Sequence, residues 1–193
     1  MQFTFDINKA VACSGYLLEK EGGQTTVFVL MKMLYAAERE ALSGWKRPIT
    51  GDSFAALPKG PILSRIYNLI KKEVLSTNSD MKKWSQHFSD RVGNNIKLIC
   101  PPDYDYLSDR EKNALDVAHK KIKDLIAENG QIADILHKKW AEWKDPAIFG
   151  KGSIPIEFQD ILSQFMDEEE VFDVCSEIKS VQSAKATLQV YPI

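Results

Sequence analysis

Apolar residues recur along this chain at helical spacing, in blocks separated by turn-forming residues. Asp6 stands as a cap before the first block, which carries Ile7, Ala10, Val11, Ser14 and Leu18 on one side. Ser14 and Gly15 make that face small enough for a neighbouring helix to approach, and Glu21-Gly22-Gly23 ends the block. Thr25 or Thr26 caps a longer helix, in which Leu30, Met33, Leu34, Ala37 and Ala41 fall at i, i+3, i+4, i+7 and i+11. Gly44 offers the positive φ that stops it. Lys59-Gly60-Pro61 then predicts a new helix with proline in its first position, and Leu63, Ile66, Tyr67, Ile70 and Val74 form its stripe. The elbow between the two helices, residues 45–57, reads as one or two short strands, 45–50 and 53–57, with Pro48 at an edge or in a turn.

Further along, Ser76-Thr77-Asn78-Ser79-Asp80 is a polar break, and residues 81–87 read as a short helix or a loop. Residues 95–100 alternate as a strand, with Ile96, Leu98 and Cys100 on one side, and are expected to pair with the elbow in a small antiparallel sheet. Ser108-Asp109-Arg110-Glu111 has capping-box spacing and opens a helix whose stripe is Leu115, Ala118, Ile122, Leu125 and Ile126, up to Asn129-Gly130. Ile132, Ile135, Leu136, Trp140 and Trp143 continue at helical spacing until Asp145-Pro146. Four acids at 167–170 start a last helix, reaching about residue 181 and favourable to the macrodipole, with a solvated first turn. The tail, 184–193, reads as a strand or a mobile, partner-binding end. The whole pattern predicts a mainly α (α+β) fold: a single helical domain of about six to eight helices with a small two- or three-stranded antiparallel sheet.

Composition narrows the classes without changing that picture. The chain has 193 residues, 44% of them apolar and 27% charged, enough to build one core without staples. Net charge is −2, and the lysine pairs are scattered, so the basic footprint of a nucleic-acid binder is missing. Three widely spaced cysteines argue against a disulfide framework and for a reducing compartment. The N-terminus has no signal-peptide pattern and the longest apolar run near it, 27–31, is too short to span a bilayer, so a cytoplasmic protein is expected.

Candidate chemistry is sparse. Asp116 and His119 share a helix face, but two groups at that spacing fall short of a metal site and read as a partly exposed pair. Asp103-Tyr104-Asp105 sits beside Pro101-Pro102 and reads as turn chemistry. Gly150-Lys151-Gly152-Ser153 lacks the Gly-rich approach and preceding strand of a phosphate loop. The cysteines read as buried thiols. Tyr35 and Arg39 lie four apart, with Arg39 expected to reach the elbow and pair with Asp52 or backbone carbonyls. No nucleophile–base–orienter set emerges, and no metal or cofactor is expected.

The order of motifs resembles the Panacea (SocA-like) antitoxin domain, often found in phage-associated proteins. A helix carrying Lys32, Leu34, Tyr35, Ala37 and Arg39 is followed by Pro48-Ile49-Thr50-Gly51-Asp52, then Gly60-Pro61 with Ile66-Tyr67 beyond, and later by Leu136-His137 and Trp140. The resemblance runs from about Ile7 to Phe165. It implies residues 1–166 as the antitoxin-like domain, with 167–193 a C-terminal helix and tail packed on it. Lys32, Tyr35, Arg39, Pro48, Gly51, Asp52, Gly60, Pro61, His137 and Trp140 would be motif residues with structural roles. The implied function is neutralisation of a cognate protein toxin by direct binding, without catalysis. Trp45, Arg47, Lys59, Trp143 and Tyr191 are the partner-binding candidates. The alternatives are an adaptor that delivers a toxin to an ATP-dependent protease, and an enzyme with a site around Arg39, Asp52 and His137. The oligomeric state is left open.

Overall fold

Asp6 caps the first helix as expected, accepting the N–H of Asn8 at 2.9 Å and of Lys9 at 3.2 Å. A computed structural model describes residues 3–73 and 78–190, with side chains described as far as residue 184. Val74 of the third predicted stripe, Ser76 and Thr77 of the polar break, and Tyr191 lie outside the described residues.

Helix α1 (Ile7–Lys20) turns through a short strand β1 (Gln24–Thr26) into α2 (Val27–Trp45), whose first turn is capped by the Thr26 hydroxyl on the N–H of Val29. α2 is the central element: Leu30, Met31, Met33, Leu34, Ala37, Ala41 and Leu42 are all buried. It packs along α5 (Asp109–Asn129), which opens on the predicted capping box with Glu111 accepting the Ser108 N–H at 2.8 Å. The remaining helices are α3 (Ser64–Lys71), α4 (Asn78–His87), α6 (Ala133–Lys139), α7 (Phe158–Leu162) and α8 (Glu168–Val190). Among the described residues there are thus eight α-helices, and none is long and apolar enough to cross a membrane. The fold is α+β, with two small antiparallel sheets.

The sheets depart from the expected pairing. Strand β4 (Asn95–Lys97) pairs with β1, Thr25 opposite Ile96, and does not join the elbow. The elbow instead forms a hairpin, β2 (Phe54–Leu57) with β3 (Gly60–Leu63), extended on the other side of β2 by β5 (Ile154–Ile156). Residues 45–50 are not a strand: Trp45 still belongs to α2, and Lys46, not Gly44, takes the left-handed turn at φ 62°. Gly60-Pro61 does not open a helix. Gly60 has φ +99°, incompatible with a helical start, and closes the two-residue turn Pro58-Lys59 opposite Leu57. The helical stripe after Trp140 also fails, because α6 ends at Lys139.

Two close approaches explain small residues. A Cβ on Gly15 would lie 2.6 Å from the Pro102 ring, so the small face of α1 receives the 102–104 turn. At Gly51, with φ +67°, a Cβ would lie 2.2 Å from the Thr4 carbonyl oxygen, where the N-terminal segment crosses the elbow and Asp6 N–H bonds the Thr50 carbonyl at 2.9 Å. Gly51→Ala is therefore expected to lower the unfolding free energy by about 2–4 kcal/mol, since backbone must move and the conformation is strained. A urea melt checks this, and a change under 0.5 kcal/mol would contradict it.

Candidate functional site

Three polar arrangements line up along α2, and the motif residues fall into them. The first is at the elbow. Glu38 is fully buried and accepts the N–H of Ile49 at 2.6 Å, the N–H of Thr50 at 2.9 Å and the Thr50 hydroxyl at 2.5 Å. It thereby clamps the bend that Pro48 and Gly51 shape. Burial pushes the Glu38 carboxyl above its ordinary range. Asp52 turns the other way. Its Oδ1 accepts the N–H of Ser53 at 2.7 Å and of Arg65 at 2.8 Å, and Oδ2 accepts that of Ile66 at 2.9 Å. The first N–H groups of α3 have no intrahelical acceptor, and Leu63 before them has no side-chain acceptor, so Asp52 acts as a cap supplied from twelve residues upstream of Ser64. Desolvation raises its pKa to about 7, against the three hydrogen bonds that favour the anion.

The second arrangement corrects the expected Arg39–Asp52 pair. Arg39 bonds the carboxylate of Glu142, whose side chain is fully buried, and the same Oε1 accepts the Tyr35 hydroxyl at 2.8 Å. Trp140 packs at 5.0 Å on the Tyr35 ring, and the Arg39 guanidinium lies between Trp140 and Phe165. Burial and the Glu142 charge push the Tyr35 hydroxyl well above its ordinary pKa. Arg39 and Glu142 are 103 positions apart, so their pairing ties the segment after α6 onto α2.

The third arrangement is at the hairpin. Lys32 is buried, and its Nζ donates to the Pro61 carbonyl at 2.7 Å. Burial pulls its pKa down to about 7. Gly60 leaves room for this lysine: a Cβ there would lie 2.8 Å from Lys32 Nζ and 3.4 Å from His137 Nε2. The His137 ring stacks on Trp143 at 3.6 Å and 5°, and Trp143 donates its indole N–H to the Leu57 carbonyl at 2.9 Å. Burial and the neighbouring Lys32 charge hold His137 below its ordinary pKa. Lys32, Gly60, Pro61, His137 and Trp143 thus meet in one place.

The other candidates are dispersed. Trp45 lies under the Arg110 guanidinium at 4.8 Å, and Arg47 faces Glu177 at 3.7 Å with both side chains largely in solvent. Lys59 is exposed in the hairpin turn. Arg39, Asp52 and His137, offered as an enzymatic trio, hold three different partners: Glu142, the start of α3, and Trp143. Asp116 and His119 likewise engage α1 and the turn after it: Asp116 bonds Lys20 and Tyr16, and His119 bonds Glu21 at 2.9 Å. Asp103 caps its own turn on the N–H of Asp105, as turn chemistry predicts. Cys13 and Cys175 are buried, whereas Cys100 is exposed, a correction to the expectation of three buried thiols.

Glu38 and Glu142 carry two of the three arrangements and were not singled out by sequence reasoning. Glu38 had a signal, a carboxylate next to Ala37 on a helix apolar nearly all round. Glu142 had none, because the segment after Trp140 is not helical.

No curated protein and no solved structure matches the chain significantly. The family model described as "Antitoxin SocA-like, Panacea domain" matches residues 30–144, from the middle of α2's first turns to just past Trp143. That span is more than half of the chain and contains all three arrangements, and the protein belongs to the SocA-like Panacea antitoxin domain family.

Proposed function

We propose that the protein is an antitoxin that neutralises a cognate protein toxin by binding it directly and covering the surface the toxin uses. The family match over residues 30–144 carries this reading. The local chemistry supports it: Arg39, Asp52 and Glu38 hold one segment of the chain against another, as fits a rigid binding platform. A stable complex of this kind buries about 1,200–2,000 Å² and rests on a few aromatic or arginine anchors. Lys59 and Trp143 beside the hairpin, and Trp45 and Arg47 at the far end of α2, are the anchors to test.

The test is co-expression with the neighbouring reading frames in an inducible host. One small neighbouring product is expected to arrest growth alone, to lose that effect with this chain, and to co-purify with it as a complex. Absence of a toxic neighbour, or rescue without a complex, would overturn neutralisation by direct binding. Rescue that depends on an ATP-dependent protease, with the toxin lost from the cells, would replace covering by delivery.

A further inference from the structure

A cleft of about 510 Å³ opens between the first turns of α2, the β2–β3 hairpin and α3. Its walls are apolar, with Phe28, Met31, Ile62 and Tyr67 facing inward. Its charged lining is of one sign: Lys32, Lys59 and Arg91 are present, and no lining residue is acidic. Ten other lysines and arginines form ion pairs, whereas among the described residues none of these three does. Lys32 rests on the Pro61 carbonyl, and Arg91 on the Gly93 carbonyl and the Asn94 side chain. Asp90, next to Arg91, pairs with Lys72 instead, at 2.6 Å.

Uncompensated positive charge beside a desolvated apolar hollow favours a ligand that is apolar at one end and anionic at the other. The charges lie at different depths: Lys32 is 1% exposed and rests beneath the floor, whereas Lys59 and Arg91 stand at the surface, so acids of a ligand meet the two rim cations. The start of α2, a 19-residue helix, adds the positive end of its dipole to the same space. Val92, next in sequence to Arg91, is an exposed apolar residue at 73%.

We propose that this cleft receives a segment of the bound protein partner in which an aliphatic or aromatic side chain is flanked by carboxylates. The side chain fills the space between Phe28, Met31, Ile62 and Tyr67, and the carboxylates supply the missing counter-charges to Lys59 and Arg91. The assignment rests on the partner-binding reading above and deepens it by naming the anchor site.

The experiment selects a phage-displayed random heptapeptide library on the full-length chain, then measures the enriched peptides by fluorescence titration. The wild-type chain is expected to enrich peptides with an apolar residue next to Asp or Glu. Lys59→Glu with Arg91→Glu, both surface changes, should weaken their binding at least tenfold, and raising the salt concentration should weaken it further. Lys179→Glu, an exposed control on α8, should leave it unchanged. Circular dichroism melts verify that each variant is folded. Enriched peptides without acids, equal binding by the double variant, or no enrichment would overturn the proposal. Octanoate competing as strongly as the peptides would reassign the cleft to a small apolar acid. Because the selection needs no toxin, it can fail while growth rescue succeeds; the partner-binding reading then stands and the anchor lies elsewhere.

Discussion

Glu142→Ala is expected to lower the unfolding free energy by about 3–5 kcal/mol, a large share of the roughly 5–15 kcal/mol typical of a domain. The Glu142 side chain is fully buried and the Arg39 side chain only 11% exposed, so solvent screens the pair little. Removing the carboxylate strands the guanidinium between Trp140 and Phe165 and leaves the Tyr35 hydroxyl without its acceptor. Glu142→Gln keeps an oxygen for Tyr35 and loses only the charge, so a smaller loss of about 1–3 kcal/mol is expected. Urea denaturation of the three proteins at one pH measures both values. If Glu142→Ala unfolds within 0.5 kcal/mol of the parent, the buried pair is not what fastens residues 140–143 to α2.

Stability should also pass through a minimum near neutral pH. Asp52 carries a folded-state pKa of about 7, above its ordinary value, so the folded protein holds that proton more tightly than the unfolded chain. The resulting stability is complete below about pH 4 and is lost as pH rises through 7. A shift of that size corresponds to on the order of 4 kcal/mol, and Glu38, raised for the same reason, acts in the same direction. Lys32 has the opposite sign of shift, down to about 7. There the unfolded chain binds the proton more tightly, so stability is regained as pH rises from 7 towards 10. Denaturant midpoints measured from pH 4.5 to about 8.5 should trace a valley; above that the Cys13 thiol, whose pKa burial raises, acts against the Lys32 limb. Asp52→Asn should flatten the acid limb and Lys32→Met the alkaline limb, each leaving the other limb in place. A single monotonic curve would sink this account. The level of each variant is a separate matter, since Asp52→Asn points an amide at the Ile66 N–H and forfeits one bond.

Particular elements show where the sequence was legible. The caps at Asp6, Thr26 and Ser108 were readable because a cap needs only a side chain and an N–H two or three residues away. The stripe of α2 was readable for the same local reason. The hairpin was misread at Gly60-Pro61, since proline suits both a helix start and an extended strand, and the cap that starts α3 sits back at Asp52. Arg39 was assigned the wrong acid because Asp52 was near in sequence while Glu142 is 103 positions away.

The sequence by itself therefore determined the helical class, most helix beginnings, the central place of α2 and the motif order that marks the family. All of these rest on interactions between neighbours along the chain. Only the tertiary structure decided which strands pair, which carboxylate each buried base meets, and that three unmatched cations surround one apolar cleft. Those are encounters between distant segments, selected by packing and desolvation, and no local pattern encodes them.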